Sequence, residues 1–343
     1  MKRNNFFLLA AMATALTGLP SCSSDDAAEA TDNTPAELKI TASMVASVEG
    51  NTRAGTSLQS TTPEDFSKIG IYVWYTAQTG PVTSPVTYNG YTDHVASSSG
   101  SGPYTLTPTD NTAMYFPIDN ANVDVYLYAP YKASPSQTAM CMDHTVSTDQ
   151  SLTEGYLESD FIYGKATATY ASKTASVTMY HAMSKIIFKV VDNGVDPTNM
   201  SDISLKQVYT KTTIRMPLSI QNAAPYLSCG SNTTTDNVDV ASVLGDIKVW
   251  GSSGTGAVSA SDAESVGVAV IVPPQTTDAS TKVSVTVDNK VAEAAFNGIT
   301  LAPGYVYTYN LKLIGQALTI ELVEIKEWVS AGAASNLDFD TWS

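Results

Sequence analysis

In ELKITASMVASV, residues 37–48, the apolar positions Leu38, Ile40, Ala42, Met44, Ala46 and Val48 alternate with polar ones such as Lys39, Thr41, Ser43 and Ser47. Successive side chains of a strand point to opposite faces, so the segment predicts a strand that lays one apolar face on a core. Further strands are predicted at IGIYVWY (69–75), VDVYLYA (123–129), SKIIFKVV (184–191) and ISLKQVYT (203–210). Four more follow at VGVAVIV (266–272), KVSVTVD (282–288), YVYTYNLKLI (305–314) and ALTIELVEI (317–325). No segment sustains a long apolar repeat of 3.6, and turn clusters recur at short intervals. The chain therefore reads as all-β. Between the strands, SSSGSGP (97–103), SCGSNTTTDN (228–237) and GSSGTGA (251–257) read as flexible loops by composition.

Many short strands of this kind point to β-sandwiches. YHAMSKIIFKVVDNG followed by ISLKQVYT looks like a fresh start of strand pairs. The expected division is an N-terminal β-sandwich over 37–178 and a C-terminal one over 179–343, each of ordinary domain size. No strict internal repeat accompanies it.

The residues before the first strand have a different purpose. MKRNNFFLLAAMATALTGLPSC runs from Lys2 and Arg3 through a short apolar stretch to Cys22, as export signals do. Leu19-Pro20-Ser21-Cys22 resembles a bacterial lipoprotein cleavage box, with Pro20 in place of the usual small residue. Residues 1–22 are thus expected to be a lipoprotein signal peptide with Cys22 as the lipidation site; the competing reading is a plain secretory signal. Several acyl chains, at roughly 0.8 kcal/mol per buried methylene, make a durable anchor. Residues 23–36, polar and acidic without hydrophobic periodicity, read as a solvated tether.

Composition narrows the chemistry further. The 343 residues are 43% hydrophobic and 15% charged, with a net charge of −15. That balance argues against nucleic acid and anionic lipid headgroups as partners, because phosphate binding needs clustered Lys and Arg. With Cys22 lipidated, Cys141 and Cys229 remain, and their spacing leaves pairing and freedom equally open. His94, His144 and His181 lack the spacing that preassembles a metal site, and no nucleophile elbow, phosphate loop or dinucleotide fingerprint appears. Asp192-Asn193-Gly194, Asp119-Asn120 and Asp338-Phe339-Asp340 are the nearest carboxylate candidates for calcium or glycoside hydrolysis. The first is foremost a turn signal, and the last alternates as an edge strand does. Neither an enzyme nor a cofactor is expected.

Several segments together resemble the fimbrillin family, the lipoprotein pilins and pilin-like proteins of Bacteroidetes that build protease-matured fimbriae. They are NTRAGT (51–56) followed by FSKIGIYVW (66–74), VYLYAPY (125–131), DFIYGKAT (160–167), YHAMSKIIFKV (180–190), IVPPQT (271–276), FNGITLAPGYVYTYNLKL (296–313) and IKEWVSAG (325–332). The acid pair Asp25-Asp26 also resembles the surface-export signal of lipoproteins in that phylum. The resemblance implies two transthyretin-like β-sandwich domains in tandem. It further implies export as an outer-membrane lipoprotein, cutting by an arginine-specific protease after the first strand, and assembly with other fimbrial subunits by strand exchange. A receptor on host or bacterial surfaces would follow from an adhesive role.

Carried onto this chain, Arg53 and Ala54 match the two sides of the cleaved bond. The displaced strand would present Leu38, Ile40, Met44 and Val48 to the core. At about 1.5–3 kcal/mol per buried side chain, its loss would forfeit roughly 6–12 kcal/mol, close to a whole domain's stability. Residues 317–343 match the donor, with Leu318, Ile320 and Leu322 alternating before the phase shifts to Val323 and Ile325, as a bulge would require. Leu337 and Phe339 alternate again near the end. Competing readings are a solvated Arg53 in a surface ion pair and a last strand folded onto its own sheet. A separate alternative is a monomeric lipoprotein that binds glycan through exposed aromatics such as Tyr88, Tyr91 or Trp250.

Overall fold

The structure, a computed structural model, describes residues 36–44, 62–75, 91–97, 103–109, 113–117, 120–131, 141–191, 199–215, 243–252, 267–314 and 317–328. In chain order they form β1 (Lys39–Met44), β2 (Ile69–Tyr75), β3 (Tyr91–Ser97), β4 (Tyr104–Pro108), β5 (Val123–Ala129) and β6 (Cys141–Thr145). The helix α1 (Thr153–Ser159) precedes β7 (Ile162–Ala168), β8 (Thr174–His181), β9 (Ser184–Val190), β10 (Met200–Tyr209) and β11 (Lys211–Arg215). Then come β12 (Leu244–Gly251), β13 (Val268–Val272), β14 (Gln275–Thr276), β15 (Lys282–Val287) and β16 (Lys290–Ala295). The last are β17 (Thr300–Leu301), β18 (Tyr305–Ile314) and β19 (Ala317–Glu327). Among the described residues the protein is all-β apart from α1 and one 3-10 turn at Pro63–Asp65, and no described helix is long and apolar enough to cross a membrane. Each of the nine segments expected to be strands overlaps one.

Seven strands form a closed ring in the order β1, β4, β3, β2, β5, β7, β8. The ring has an inside because its strands alternate: Ile69, Ile71 and Val73 of β2 meet Val123, Val125 and Leu127 of β5 and Ala175, Val177 and Met179 of β8 in one buried cluster. Two further sheets, ordered β12-β10-β15-β16 and β13-β9-β18-β19, share a second core around Phe188, Trp250 and Phe296.

Strands without alternation occupy the space between these cores. All seven residues of β5 are buried; Val123, Val125 and Leu127 face the ring core while Tyr126 and Tyr128 join a third cluster with Ile187 of β9 and Ala269 and Ile271 of β13. A strand covered on both faces needs apolar side chains at odd and even positions alike, and VDVYLYA and VAVIV have them. Asp124, the polar exception in β5, is ion-paired with Lys165 at 2.8 Å.

The expected boundary at 178/179 falls inside β8, which pairs with β7 as far as His181. As a division between sheets it moves to the turn at Ala182 and Met183, because the hydrogen-bonded ladder ends there and β9 begins at Ser184. Of the segments read as flexible, Ser97 belongs to β3 and Gly251 to β12; residues 98–102, 228–237 and 253–257 lie outside the described residues.

Candidate functional site

β1 is the strand through which the ring closes. It runs parallel to β8 over six register pairs, from Lys39 opposite Thr174 to Met44 opposite Met179. On its other side it meets β4 antiparallel at Thr41–Thr105 and Ala42–Tyr104. Two bonds extend that side: the Leu38 amide donates to the Met114 carbonyl at 2.8 Å, and the Phe116 amide donates to the Ala36 carbonyl at 2.8 Å. The alternation read from sequence is realised, with Leu38, Ile40 and Ala42 buried and Met44 half-buried against the same core. Leu38 and Ile40 together contribute about 3–6 kcal/mol by burial. Ala42 lies between Tyr104 and Val177 in register, so this position in the seat is narrow.

At the other end of the described chain, β19 pairs with β18 along its whole length and forms the edge of its sheet. The phase shift after Leu322 is resolved by a bulge: Tyr309 lies opposite Leu322 but Thr308 lies opposite Glu324, which leaves Val323 as the extra residue. The extra residue returns Ile325 to the side of Tyr307, so both apolar runs share one face. Leu318 is buried there, but Leu322, Val323 and Ile325 are 49%, 53% and 51% exposed. An open groove of about 430 Å³ adjoins them, lined among others by Phe296, Ile299, Tyr307, Tyr309, Leu322 and Ile325. Burial pushes the Tyr309 phenol up to about 12, with Tyr307 beside it adding to the effect.

The residue after β19 is fixed differently. Trp328 is buried, and its amide donates to the Gly304 carbonyl at 2.6 Å. Its ring stacks on His181, whose Nδ1 lies 2.6 Å from Oδ2 of Asp160. Lys185, wholly buried, holds its Nζ 5.2 Å from the Trp328 ring centroid and 5.9 Å from that of Tyr156. A desolvated ammonium is stabilised by such ring faces. Sequence reasoning missed this cluster, although a lysine second in the apolar run SKIIFKV was a visible signal.

Of the expected site residues, Leu38, Ile40 and Met44 come together on β1, and Leu318, Ile320 and Leu322 on β19. Cys22, Val48, Arg53, Ala54, Leu337 and Phe339 lie outside the described residues. Trp250 corrects the glycan reading: it is 1% exposed in the second core and offers no surface to a sugar. The sequence had placed it beside a Gly/Ser loop, but its position on β12 turns it inward. Tyr88 lies outside the described residues, as does the Tyr91 side chain. Among the described residues no group of three or more His, Cys, Asp or Glu converges as metal ligands do.

Comparison with known proteins adds a family. A fimbrillin-like profile matches residues 52–328. Among solved structures, a candidate cell adhesion protein from Bacteroides ovatus is similar at 17% identity and a TM-score of 0.59, covering 87% of this chain and 99% of its own. Another from Bacteroides uniformis aligns at 15% identity and a TM-score of 0.58, with the same coverage of 87% and 99%. A fimbrial protein from Bacteroides vulgatus aligns at 16% identity and a TM-score of 0.40, over 85% of this chain and 99% of its own. The first two share the fold. Comparison with curated proteins returned no match.

Proposed function

This chain belongs to the fimbrillin-like family, and we propose that it is a stalk or tip subunit that assembles when a strand of a neighbouring subunit takes the seat of β1. In this reading residues 1–22 direct export, Cys22 carries the lipid anchor and residues 23–36 form the tether at the outer membrane. An arginine-specific protease then cuts between Arg53 and Ala54, and the segment bearing Leu38, Ile40, Met44 and Val48 departs. The neighbour's strand comes from residues 317–343, and the finished fimbria serves adhesion to host or bacterial surfaces. No catalysis by this chain is involved.

One observation carries the reading: β1 alone bridges β4 and β8, and its buried face is continuous with the ring core. Its departure leaves two unpaired strand edges beside an open apolar slot, an arrangement that accepts an added strand by main-chain hydrogen bonds and side-chain pockets. The precursor is stable because β1 fills the slot in cis. Treatment with an arginine-specific protease tests the reading. A new amino terminus at Ala54 and a ladder of polymers on native gels are expected, and Arg53→Lys should abolish both. Cleavage at Arg53 without polymers, or polymers without cleavage, would overturn the mechanism.

A further inference from the structure

The slot that β1 fills has an order of side-chain sizes built into its walls. Directly opposite residues on neighbouring strands share a face, so the register of β1 identifies what flanks each inward position. Ile40 lies opposite Ala175 of β8, a side chain small enough to leave room for a branched one. Two residues on, the relation inverts, because Ala42 lies opposite Val177 of β8 and Tyr104 of β4. Ala42 is 1% exposed, with Val177 and Tyr104 buried beside it. Interiors are close-packed, so a longer side chain at that position has to displace those two neighbours. Leu38 is buried at the start of the slot, where its amide donates to the Met114 carbonyl, and Met44 lies half-buried opposite Met179 at the far end. On the outward face Thr41 stands in register with Ser176 and Thr105, and its hydroxyl donates to that of Ser176 at 3.3 Å.

We propose that the β1 seat selects its incoming strand by size at the third inward position. The partner it fits is an extended segment of another subunit that presents two bulky apolar residues and then a small one at alternate positions, with polar residues between them. Because β1 runs parallel to β8, that order is read from the amino to the carboxyl end of the entering strand. This selection presupposes the strand exchange proposed above and specifies what enters. Two penalties enforce it: a side chain too small at the position of Ile40 leaves a cavity, and one too large at the position of Ala42 forces Tyr104 and Val177 aside.

β19 shows what the seat refuses. Its run Leu318-Ile320-Leu322 carries leucine in the third place, and within β19 no register gives two bulky apolar residues followed by a small one. β19 itself is therefore excluded as the entering strand, in keeping with its pairing to β18 along its whole length.

Synthetic peptides test the proposal without altering the fold of the protein. The detergent-solubilised full chain is cut with an arginine-specific protease in the presence of an excess of fluorescent peptide, and the peptide retained is measured by anisotropy and on native gels. A peptide copying residues 36–44 is expected to replace β1. Ala42→Leu in that peptide should weaken retention by roughly tenfold or more, whereas Ser43→Leu, on the outward face, should leave it nearly unchanged. Val177→Ala in the protein should restore most of the retention lost through Ala42→Leu, a rescue that general weakening of the protein does not give. Equal effects of Ala42→Leu and Ser43→Leu, or a loss that Val177→Ala leaves in place, would overturn selection by size while strand exchange stands. Retention of none of the peptides after complete cleavage would overturn both.

Discussion

Trp328 lies flat on His181, with ring centroids 3.8 Å apart and planes 5° from parallel. The stack ties the end of β19 to the end of β8, strands that belong to different sheets. Loss of the indole removes the stack, the contact with the Lys185 ammonium and the packing in the third cluster together. Trp328→Ala should therefore lower stability by about 3–5 kcal/mol in urea unfolding, and Trp328→Phe by clearly less.

The β1 seat makes two opposite demands on side-chain size. Ile40→Ala leaves a cavity in the ring core and should cost about 2–5 kcal/mol. Ala42→Leu forces bulk between Tyr104 and Val177 and should cost about 1–3 kcal/mol. Thermal unfolding of the uncleaved precursor measures both. After removal of β1 neither substitution should alter the stability of what remains, since both leave with the strand.

Gly70 in β2 has the Tyr128 ring lying directly over its Cα, and a methyl group there would overlap the ring atoms. Tyr128 cannot retreat, because it is fully buried and stacked on Phe161 at 6.3 Å. Gly70→Ala should destabilise by about 1–3 kcal/mol or more in chemical denaturation. Restoring space with Tyr128→Ala in the same chain should recover part of the overpacking loss, and a double-mutant cycle would read that coupling.

Alkaline pH should weaken the protein through its buried phenols. Burial holds the Tyr309 phenol at about 12, above the ordinary 10.0, and raises Tyr307 and Tyr126 as well. Below pH 10 folded and unfolded chains are protonated alike at these groups. Above it the unfolded chain ionises first, so it binds fewer protons and stability falls as pH rises. For Tyr309 the loss runs from about pH 10 to about pH 12. Denaturation midpoints across that window, with tyrosinate absorbance followed in parallel, should show it; Tyr309→Phe should flatten the decline.

What could be read in the chain depended on how each strand is covered. Segment 37–44 announced its face because one side meets the core and Lys39 meets water. VDVYLYA was visible as a continuous apolar run, but nothing in it told that its tyrosines serve a different cluster from its valines. TASVTMYH, now β8, escaped notice because its inward positions begin with Ala175 and its outward ones mix threonine and serine with Tyr180, a weak contrast. KVAEAA, β16, was missed for the same reason: an edge strand with alanine at its one buried position carries little signal. The bulge at Val323 was legible, since a phase shift in an apolar run has few other geometric remedies. The Trp328 cluster was not, because its members come from four distant parts of the chain.

The six parallel register pairs between β1 and β8 also decide how that seat responds to force. A pull along the strand axis strains the whole ladder at once, whereas a pull across it opens the bonds one after another. The seat is thus a shear joint, weak to peeling and strong to tension. In a fibre whose subunits were linked there with the strand lying along the fibre axis, drag would load the joint in its resistant direction. Rupture force should then fall sharply when the pulling geometry is turned from lengthwise to sideways.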